Sequence, residues 1–421
     1  MQCAPEANTP LPEGFTIRID ARREGDLLIG GEPFTIGRID DPRELVMRNL
    51  AQPIPPPCDP PPVTAVIPVR DRPIDRLLDV LDIAEVIVVD DASDDPAPIE
   101  RAAERAGARY IRRPARGGAG AARNDGLEAA THDLVALLDS DCIPLEGWLD
   151  PLLPHFQDPV LSAIAPRIVA TDARGIIGRY EARHSPLDRG PHPARVIPHG
   201  RVPFVPGAAL VVRKHLRFDT TLRGGEDVDL AWRAPYVRYE PASQVAHAHR
   251  TTLKAWLGRR VYYGRTAAPL AKRHPGKARP LHVSPWTTAA WAALALKRPR
   301  PAIAITATAV ALLSRELPPK TAAEVAGLGT LRSGPVFTAA LRRFYWPLAP
   351  LRPRLFALAA LTHPLRLADD IAYGAGVWIG CLEHRTLDPL LPSTGWRLER
   401  HTAAQWGASH GSPRDAVPSG S

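Results

Sequence analysis

Between residues 63 and 139, short runs of apolar and β-branched residues alternate with longer stretches of helical periodicity. The runs VTAVIPV (63–69), EVIVVD (85–90), ARYIRR (108–113) and DLVALLD (133–139) predict strands, and the stretches at 73–82, 97–106 and 119–130 predict helices. Buried runs on this spacing are typical of βαβ units. The pattern therefore predicts an α/β fold with a mainly parallel sheet that helices cover on both faces.

The flanking regions have different patterns, which divide the chain into four segments. Residues 1–60 contain strand-like runs and end in the Pro-rich stretch IPPPCDPPP, so we expect a separate strand-rich segment and a linker. We expect the catalytic domain over 61–250. Its second half predicts strands at 161–170, 204–213 and 237–250 and a short helix at 224–233. Residues 251–400 are basic and apolar and predict helices, and 401–421 predict a disordered tail.

Two apolar segments of the C-terminal region leave two alternatives open. The segments at 286–296 and 302–313 are each shorter than the ~20 residues that span a bilayer. They are expected either to pack together as a buried helical pair or to lie in a membrane interface beside the basic residues around them. The segment at 371–382 is ambiguous in the same way.

The net charge and the cysteine content limit which partners and which cellular compartment are expected. The 421 residues carry a net charge of +8, which by itself favours anionic partners: nucleic acid, anionic lipid or a phosphorylated substrate. A basic surface without a partner is the alternative, and no motif points to nucleic acid. Cys3, Cys58, Cys142 and Cys381 lie far apart and form no C-x-x-C pair, so neither a zinc site nor a disulfide framework is indicated. The start of the sequence lacks the pattern of a signal peptide. We expect a cytoplasmic protein, with a place at the inner face of the cell membrane as the alternative.

Acidic residues gather where the predicted parallel strands end, which is where open α/β sheets bind ligands. They are Asp71 after the first strand, Asp90 and Asp91 after the second, and Asp139 and Asp141 after the fourth. The Asp139-Ser140-Asp141 triplet can hold Mg²⁺ or Mn²⁺ through carboxylate oxygens. Such a cation grips a diphosphate and neutralises the charge that develops as it leaves. A turn or capping cluster is the alternative for this triplet, and a helix cap is the alternative for Asp90 and Asp91.

Two further motifs suggest a nucleotide loop and a base. In RGGAGAARNDG (116–126), Gly117, Gly118 and Gly120 let the backbone approach a ligand, and the positive charge of Arg123 suits a nucleotide diphosphate. A plain loop with a surface arginine is the alternative. In GGEDVDLAWR (224–233), Glu226 and Asp227 sit at a helix start, where a carboxylate can act as general base on an acceptor hydroxyl. An acidic helix cap is the alternative there.

Two pairs of residues complete the candidate site. Asp229 and Arg233 are spaced i, i+4 and are predicted to pair on the helix. His247 and His249 alternate, which predicts one face of a strand, and either can complete the metal shell.

Taken in order, six motifs resemble those of family-2 glycosyltransferases of the GT-A fold, over about 190 residues. They are VTAVIPVRDRP, VIVVDDAS, GGAGAARNDG, LLDSDC, GGEDVDLAWR and VRYEPASQVAHAHR. The resemblance implies a Rossmann-like mixed, mainly parallel sheet and a UDP-sugar donor. It places Pro68, Asp90, Asp91, Gly118, Arg123, Asp139 and Ser140 at the nucleotide-sugar site and gives the metal to Asp139, Asp141 and His247. It makes Asp227 the base of an in-line displacement with inversion, supported by Glu226 and Arg233.

Other stretches resemble, more narrowly, the glycosyltransferases of mycofactocin biosynthesis. They are LPEGFTIRID, IGGEPFTIGRI, RYEARHSPLDRG (179–190), VPFVPGAALVVR and DDIAYGAGVWIG. This resemblance implies UDP-glucose as donor, a peptide-derived redox cofactor as acceptor and a β-linked glucose chain as product. It also implies a PqqD-like N-terminal module, whose helical part is missing here, and a longer helix after Asp227. The alternatives are a family-2 transferase acting on a cell-envelope glycan or lipid, and a catalytically inactive GT-A binding scaffold.

Overall fold

The structure is a computed structural model, and it describes residues 9–25, 27–32, 34–37, 39–171, 173–315, 317–393 and 399–401. The tail predicted at 401–421 lies outside the described residues except for His401, and Cys3 lies outside them as well.

Strands and helices alternate up to residue 247, and helices dominate after it. The strands are β1 (Thr16–Ile19), β2 (Arg22–Glu24), β3 (Leu27–Gly30), β4 (Thr35–Gly37), β5 (Ala51–Ile54), β6 (Val63–Val69), β7 (Glu85–Asp90), β8 (Arg109–Arg112), β9 (Leu134–Leu138), β10 (Cys142–Pro144), β11 (Ala163–Ala170), β12 (Ala194–Arg195), β13 (Ala209–Arg213), β14 (Val237–His247) and β15 (Glu399–His401). The α-helices are α1 (Pro42–Met47), α2 (Asp75–Leu78), α3 (Ala97–Arg105), α4 (Ala119–Ala129), α5 (Gly175–His184), α6 (Glu226–Arg233), α7 (Leu253–Arg265), α8 (Ala267–Arg273), α9 (Pro285–Ala295), α10 (Pro299–Leu313), α11 (Pro319–Ala322), α12 (Gly329–Arg332), α13 (Gly334–Phe344), α14 (Pro353–Ala359) and α15 (Pro364–His384).

The central sheet is mixed, with strand order β10-β14-β11-β13-β9-β6-β7-β8 and β12 paired to β14. Strands β9, β6, β7 and β8 run parallel, as do β11 and β14, whereas β13 is antiparallel to both of its neighbours. The parallel half matches the predicted βαβ pattern. Every residue of β6 and β9 is buried, which explains their continuous apolar runs.

Element boundaries differ most from the prediction in three places. The helix predicted at 73–82 has only four residues, Asp75–Leu78. The strand predicted at 204–213 begins at Ala209, because Pro203 and Pro206 have no amide hydrogen for a ladder. Strand β14 ends at His247 rather than at residue 250.

The N-terminal segment packs closely against the central sheet. Strand β1 pairs with β5, and β2, β3, β4 and β15 form another small sheet. Leu45 and Leu50 belong to the same buried cluster as Leu153. The guanidinium of Arg43 donates to both carboxylate oxygens of Asp158, at 2.6 and 2.9 Å, and both residues are almost completely buried. A shared core does not fix where a domain ends, so the boundary near residue 60 stays a prediction.

The C-terminal region is mostly helical. Helices α9 and α10 pack together through Ala290, Ala293 and Ala302, as the first alternative expected, yet Trp286 and Ile303 are exposed. Within the described ranges, no helix combines the length and the apolar character that crossing a membrane requires.

Helices α15 and α7 meet along glycines. The segment predicted at 371–382 lies within α15. A Cβ on Gly376 would come within 2.1 Å of the Val261 carbonyl oxygen, and one on Gly264 within 2.1 Å of the Tyr373 carbonyl oxygen. The two backbones therefore touch, which requires glycine at both positions.

Candidate active site

A cleft of about 900 Å³ lies where strand β9 ends, and its size suits a ligand larger than a single sugar. Six of the predicted site residues line it: Arg123, Asp139, Asp141, Glu226, Asp227 and His247. The opposite walls come from the loops at 183–189 and 199–208 and from helices α7 and α15. Of the carboxylates predicted at the strand ends, Asp139 and Asp141 line this cleft, and they face it together with Asp227.

A tight turn carries Asp139 and Asp141 into the cleft. The amide of Asp139 donates to the Ala208 carbonyl at 2.8 Å, and the amide of Cys142 donates back to the Asp139 carbonyl at 2.9 Å. Strand β10 then pairs with β14 so that Cys142 lies opposite His247. The turn thus places Asp141 beside a histidine that is more than 100 positions away in the sequence.

Asp141 and His247 form the part of the site that fits a divalent cation. His247 Nε2 lies 3.3 Å from Asp141 Oδ1, and Arg72 Nη1 donates to Asp141 Oδ2 at 2.6 Å. Burial opposes ionisation of Asp141, but hydrogen bonding to His247 and the charges of His247 and Arg72 outweigh it and lower its pKa to about 2. The carboxylate is therefore ionised at neutral pH.

The surroundings of this pair agree with a metal site. Donor atoms of Asp141, Cys142 and His247 lie within 4.8 Å of one another. His247 Nδ1 is buried and has no hydrogen-bond partner among the described residues. Cys142 is not a suitable ligand, since burial raises the pKa of its thiol and Sγ donates to the Ala208 carbonyl. A carboxylate and an imidazole fit Mn²⁺ or a similar cation.

Arg123 joins the two sides of the cleft. Its guanidinium donates to Asp139 Oδ1 at 2.6 Å and to Glu226 Oε1 at 3.0 Å, and only 3% of the residue is exposed. The alternative of a surface arginine is therefore wrong. Asp139 is engaged by Arg123 and stands outside the group of close donor atoms around Asp141. The predicted contacts of Arg123 with the diphosphate and of Asp139 with the metal stay predictions.

Asp227 is held in place at the first turn of α6, after Gly225 in a left-handed conformation. Its Oδ2 accepts from the Gly207 amide and its Oδ1 from the Val228 amide, each at 2.8 Å. Part of its surface remains accessible. Burial, followed by the charge of Glu226, raises the pKa of Asp227 to about 6. The carboxylate is thus a stronger base than an ordinary aspartate and still mostly ionised at neutral pH.

Asp90 and Asp91 do not line the cleft, and Asp91 instead organises the glycine loop. Asp90 is fully buried and accepts from the Ser93 amide at 2.9 Å and the Tyr110 hydroxyl at 2.8 Å. Asp91 accepts from the amides of Gly117 at 2.8 Å and Gly118 at 2.7 Å. Neither carboxylate caps the helix that starts at Ala97, whose N-cap is Pro96. Pro68 lies buried in β6. The nucleotide contacts of these residues stay predictions.

Three other predicted residues lie outside the main cluster. Arg233 pairs with Asp229 at 2.7 Å, as the spacing predicted, and also donates to the Arg217 carbonyl, so no hydrogen bond joins it to the base among the described contacts. Ser140 lies in the turn and is not among the cleft residues. His249 lies beyond the end of β14, with its ring centre 5.4 Å from that of His247 and its Nδ1 3.6 Å from Glu181. The two rings are neighbours, but His249 is not in the group of close donor atoms around Asp141.

Sequence reasoning missed the residues that close the cleft from the C-terminal side. They include Arg259, Tyr262 and Tyr263 of α7 and Asp369, Asp370 and Tyr373 of α15. Arg260 binds Glu181 and Asp369 in a buried network that joins α5, α7 and α15. The stretches RYEARHSPLDRG and DDIAYGAGVWIG, which carry the narrower resemblance, both supply residues to this wall.

The fold and the site define the class, and comparison with known proteins agrees. The model of glycosyl transferase family 2 matches residues 64–218. The chain is also 35% identical, over 466 aligned positions that cover 91% of it and 98% of the relative, to a protein of Mycobacterium tuberculosis. The chain belongs to the family-2 glycosyltransferases. The relative from Mycobacterium tuberculosis is the pre-mycofactocin glycosyltransferase.

More distant similarities cover smaller parts of the chain or have lower identity. Human polypeptide N-acetylgalactosaminyltransferase 15 is 29% identical over 39% of this chain and 31% of its own length. A mannosyltransferase from Pyrobaculum calidifontis, solved with GDP-Man and Mn²⁺, is 20% identical over 77% of this chain and 89% of its own, with a TM-score of 0.42.

Proposed function

We propose that this glycosyltransferase transfers glucose from UDP-glucose to a hydroxyl group of a peptide-derived acceptor, a precursor of mycofactocin, with inversion at the anomeric carbon. The acceptor follows the similarity to the pre-mycofactocin glycosyltransferase, which extends over nearly the whole of both chains. The donor is the one that the resemblance of the sequence motifs implies. One observation carries the chemistry. Asp227, a carboxylate with a raised pKa, faces the same cleft as Asp139 and Asp141.

On the acceptor side, Asp227 is positioned to take a proton from the attacking hydroxyl. The amides of Gly207 and Val228 fix its carboxylate, so a hydroxyl in the cleft meets a base whose direction is already set. A pKa of about 6 leaves it ionised at pH 7 and basic enough to accept the proton as the new bond forms. A single displacement then needs no covalent intermediate on the protein.

On the donor side, Asp141 and His247, with Asp139 nearby, would hold Mg²⁺ or Mn²⁺. A cation bound there neutralises the charge that develops on the departing diphosphate. Arg72 keeps the Asp141 carboxylate oriented, and Arg123 keeps Asp139 and Glu226 at a fixed separation. Uridine is proposed to bind near the glycine loop that Asp91 organises.

Substitution of the base tests the proposal. Asp227→Asn keeps the shape and one acceptor oxygen, so UDP binding measured by calorimetry with Mn²⁺ should stay within about twofold, whereas transfer from UDP-glucose should fall by roughly 100-fold or more. Asp82→Asn, at an exposed aspartate before β7, is the matched control and should behave as wild type. Transfer at the wild-type rate by Asp227→Asn would assign the base to another residue.

The stereochemistry of the product gives an independent test. NMR of the first product from UDP-α-glucose should show a β-linked sugar, since one displacement inverts the anomeric centre. An α-linked product would exclude the single-displacement mechanism even if Asp227 proved essential.

We also infer contact with an anionic membrane surface, from the outer side of the α9–α10 pair. Trp286, Leu296 and Ile303 are exposed by 45, 58 and 68%, and Lys297 and Arg298 lie between the two helices. Apolar side chains beside basic ones suit an interface with anionic lipid. Co-sedimentation with phosphatidylglycerol vesicles, but much less with phosphatidylcholine vesicles, is expected, and Ile303→Ser should weaken it. Equal recovery with and without vesicles would contradict this inference.

A further inference from the structure

A short turn in the cleft wall lies against the N-terminal segment. His199 and Gly200 belong to this turn and line the cleft. The amide of Gly200 donates to the Ile197 carbonyl at 3.0 Å, and the amide of Ile197 donates to the Val202 carbonyl at 3.2 Å. The turn therefore runs from Arg195, at the end of β12, to Val202, which is completely buried.

The backbone of the turn is strained where it meets the cleft. His199 has a φ of 63°, a left-handed conformation that is unfavourable for a residue with a Cβ. Its Nε2 lies 2.9 Å from the Gly276 carbonyl, and its ring stacks on His282 with 4.7 Å between the ring centres. Strain of this kind persists only where the surroundings hold it, so the contacts around the turn decide its shape.

Two polar side chains of the N-terminal segment bind both ends of this turn. The Asn49 side chain accepts from the Arg195 amide at 2.7 Å and donates to the Arg195 carbonyl at 3.1 Å. Glu32 Oε1 accepts from the Arg201 amide at 2.6 Å, and Glu32 Oε2 accepts from the Asn49 side chain at 3.0 Å. The Glu32 carboxylate thus links the two ends of the turn.

Glu32 also packs directly against the turn. A Cβ on Gly200 would come within 2.5 Å of Glu32 Oε2, so the carboxylate lies on bare backbone there. Burial raises the pKa of Glu32, and the hydrogen bond from the Arg201 amide opposes this rise. Burying a carboxylate is unfavourable unless hydrogen bonds compensate, and here each of its oxygens accepts one. An apolar side chain at this position could fill the space but could not hold the two donors.

We propose that Glu32 is a positioning residue of the transferase, which holds the turn at 195–202 in the shape that completes the cleft wall. The proposal rests on the proposed function, because it assigns part of the N-terminal segment to the same site. Small displacements of groups that position a substrate have large effects on its reaction. The N-terminal segment therefore contributes to the reaction through the shape of the cleft.

Hydrogen exchange of the full chain, read by mass spectrometry, tests this contact without any substrate. Glu32→Ala removes both acceptor oxygens, so amides at 197–202 should exchange roughly 10-fold faster or more, which is the effect of one or two lost hydrogen bonds. Strand β13 should exchange as in the wild type. Glu32→Gln keeps one acceptor oxygen and should lie between the wild type and Glu32→Ala.

Asp41→Ala is the matched control. It removes another acidic side chain of the N-terminal segment, one that accepts from the Arg43 amide at the start of α1. The loss of this cap lowers stability without touching the turn. Exchange at 197–202 should therefore stay at the wild-type rate in this variant.

Transfer from UDP-glucose connects the turn to the reaction. In Glu32→Ala, kcat/KM should fall by roughly 10-fold, mostly through a higher KM, because the turn shapes the cleft and the base itself is unchanged. Glu32→Gln should recover part of this loss, and Asp41→Ala should match the wild type.

Several results would overturn the proposal. They are a turn that exchanges at the wild-type rate in Glu32→Ala, equal loosening of the turn in Asp41→Ala, and a loosened variant that keeps the wild-type kcat/KM or loses kcat alone. A wild-type protein that transfers nothing from UDP-glucose would contradict the proposed function instead. The exchange measurement then still decides whether Glu32 holds the turn.

Discussion

The charge of Glu226 adds to the raised pKa of Asp227, and removing that charge should shift the pH dependence of transfer. The pKa of Asp227 is raised from 3.8 to about 6, which corresponds to ~3 kcal/mol of interaction against the ionised carboxylate. Burial is the larger cause and Glu226 the second. Glu226→Gln should therefore lower the pKa of Asp227, by roughly one pH unit, while burial still raises it.

The assay is the acid side of the profile of kcat/KM against pH, at saturating Mn²⁺. The base must be ionised to act, so activity falls as pH drops through its pKa, near 6 in the wild type. If Glu226→Gln moves that midpoint to about 5, its activity at pH 5, as a fraction of its own plateau, rises from roughly a tenth to a half. The plateau itself should drop, because a weaker base takes the proton less readily.

Arg123 does not reverse the expected direction. It contacts Glu226 at 3.0 Å, and its charge lowers the pKa of Asp227, so its release in Glu226→Gln acts in the same sense. Glu128→Gln, at an exposed position of α4, is the matched control and should leave the midpoint unchanged. A midpoint that stays near 6 or rises in Glu226→Gln would refute the electrostatic reasoning or assign the acid limb to another group.

Three further predictions concern stability and metal. Because the folded state binds the proton of Asp227 more tightly than the unfolded state, Asp227 should make the free energy of unfolding fall by less than ~3 kcal/mol as the pH rises from about 4 to 7, since the group is partly solvated. In urea titrations Asp227→Asn should lack this fall and should show a separate loss that does not depend on pH, because the amide can accept from only one of the Gly207 and Val228 amides. Arg43→Met leaves the carboxylate of Asp158 buried and unpaired, so it should cost about 3–5 kcal/mol in the same assay, whereas the exposed Arg18→Met should cost under ~1 kcal/mol. Chelation by EDTA should stop transfer, and added Mn²⁺ should restore it. The Asp141→Asn variant should need roughly tenfold more Mn²⁺ for half-maximal transfer. Full activity in EDTA would contradict the metal role.

The parallel half of the fold was predictable because each of its buried strands has a continuous apolar sequence of its own. Strands such as β6 and β9 are buried on both faces and must be continuously apolar, so the residues themselves report their environment. The DSD turn and the acidic start of α6 are local in the same way. These motifs led to a correct expectation that Asp139, Asp141 and Asp227 share a cleft.

The partners of these residues were not predictable, because they are set by contacts between distant parts of the chain. The spacing of His247 and His249 suggested equal roles, but the strand ends between them and only His247 reaches Asp141. Nothing near Arg123 in the sequence shows that its guanidinium donates hydrogen bonds to both Asp139 and Glu226. The N-terminal segment looked separate because its linker is Pro-rich, whereas the Arg43–Asp158 pair that anchors it spans 115 residues.

The cleft is assembled from residues that lie far apart in order of synthesis. Its wall begins near Ala119 and is finished by Tyr373 and Pro389. At roughly 5–20 residues per second, a ribosome needs more than ten seconds to pass from the first of these to the last. Throughout that interval the nascent chain contains Asp139 and Asp141 but not yet helix α15, which forms part of the cleft wall. A messenger broken before the codons of α15 therefore yields a polypeptide that carries Asp139, Asp141 and Asp227 but lacks the part of the cleft wall that α15 supplies.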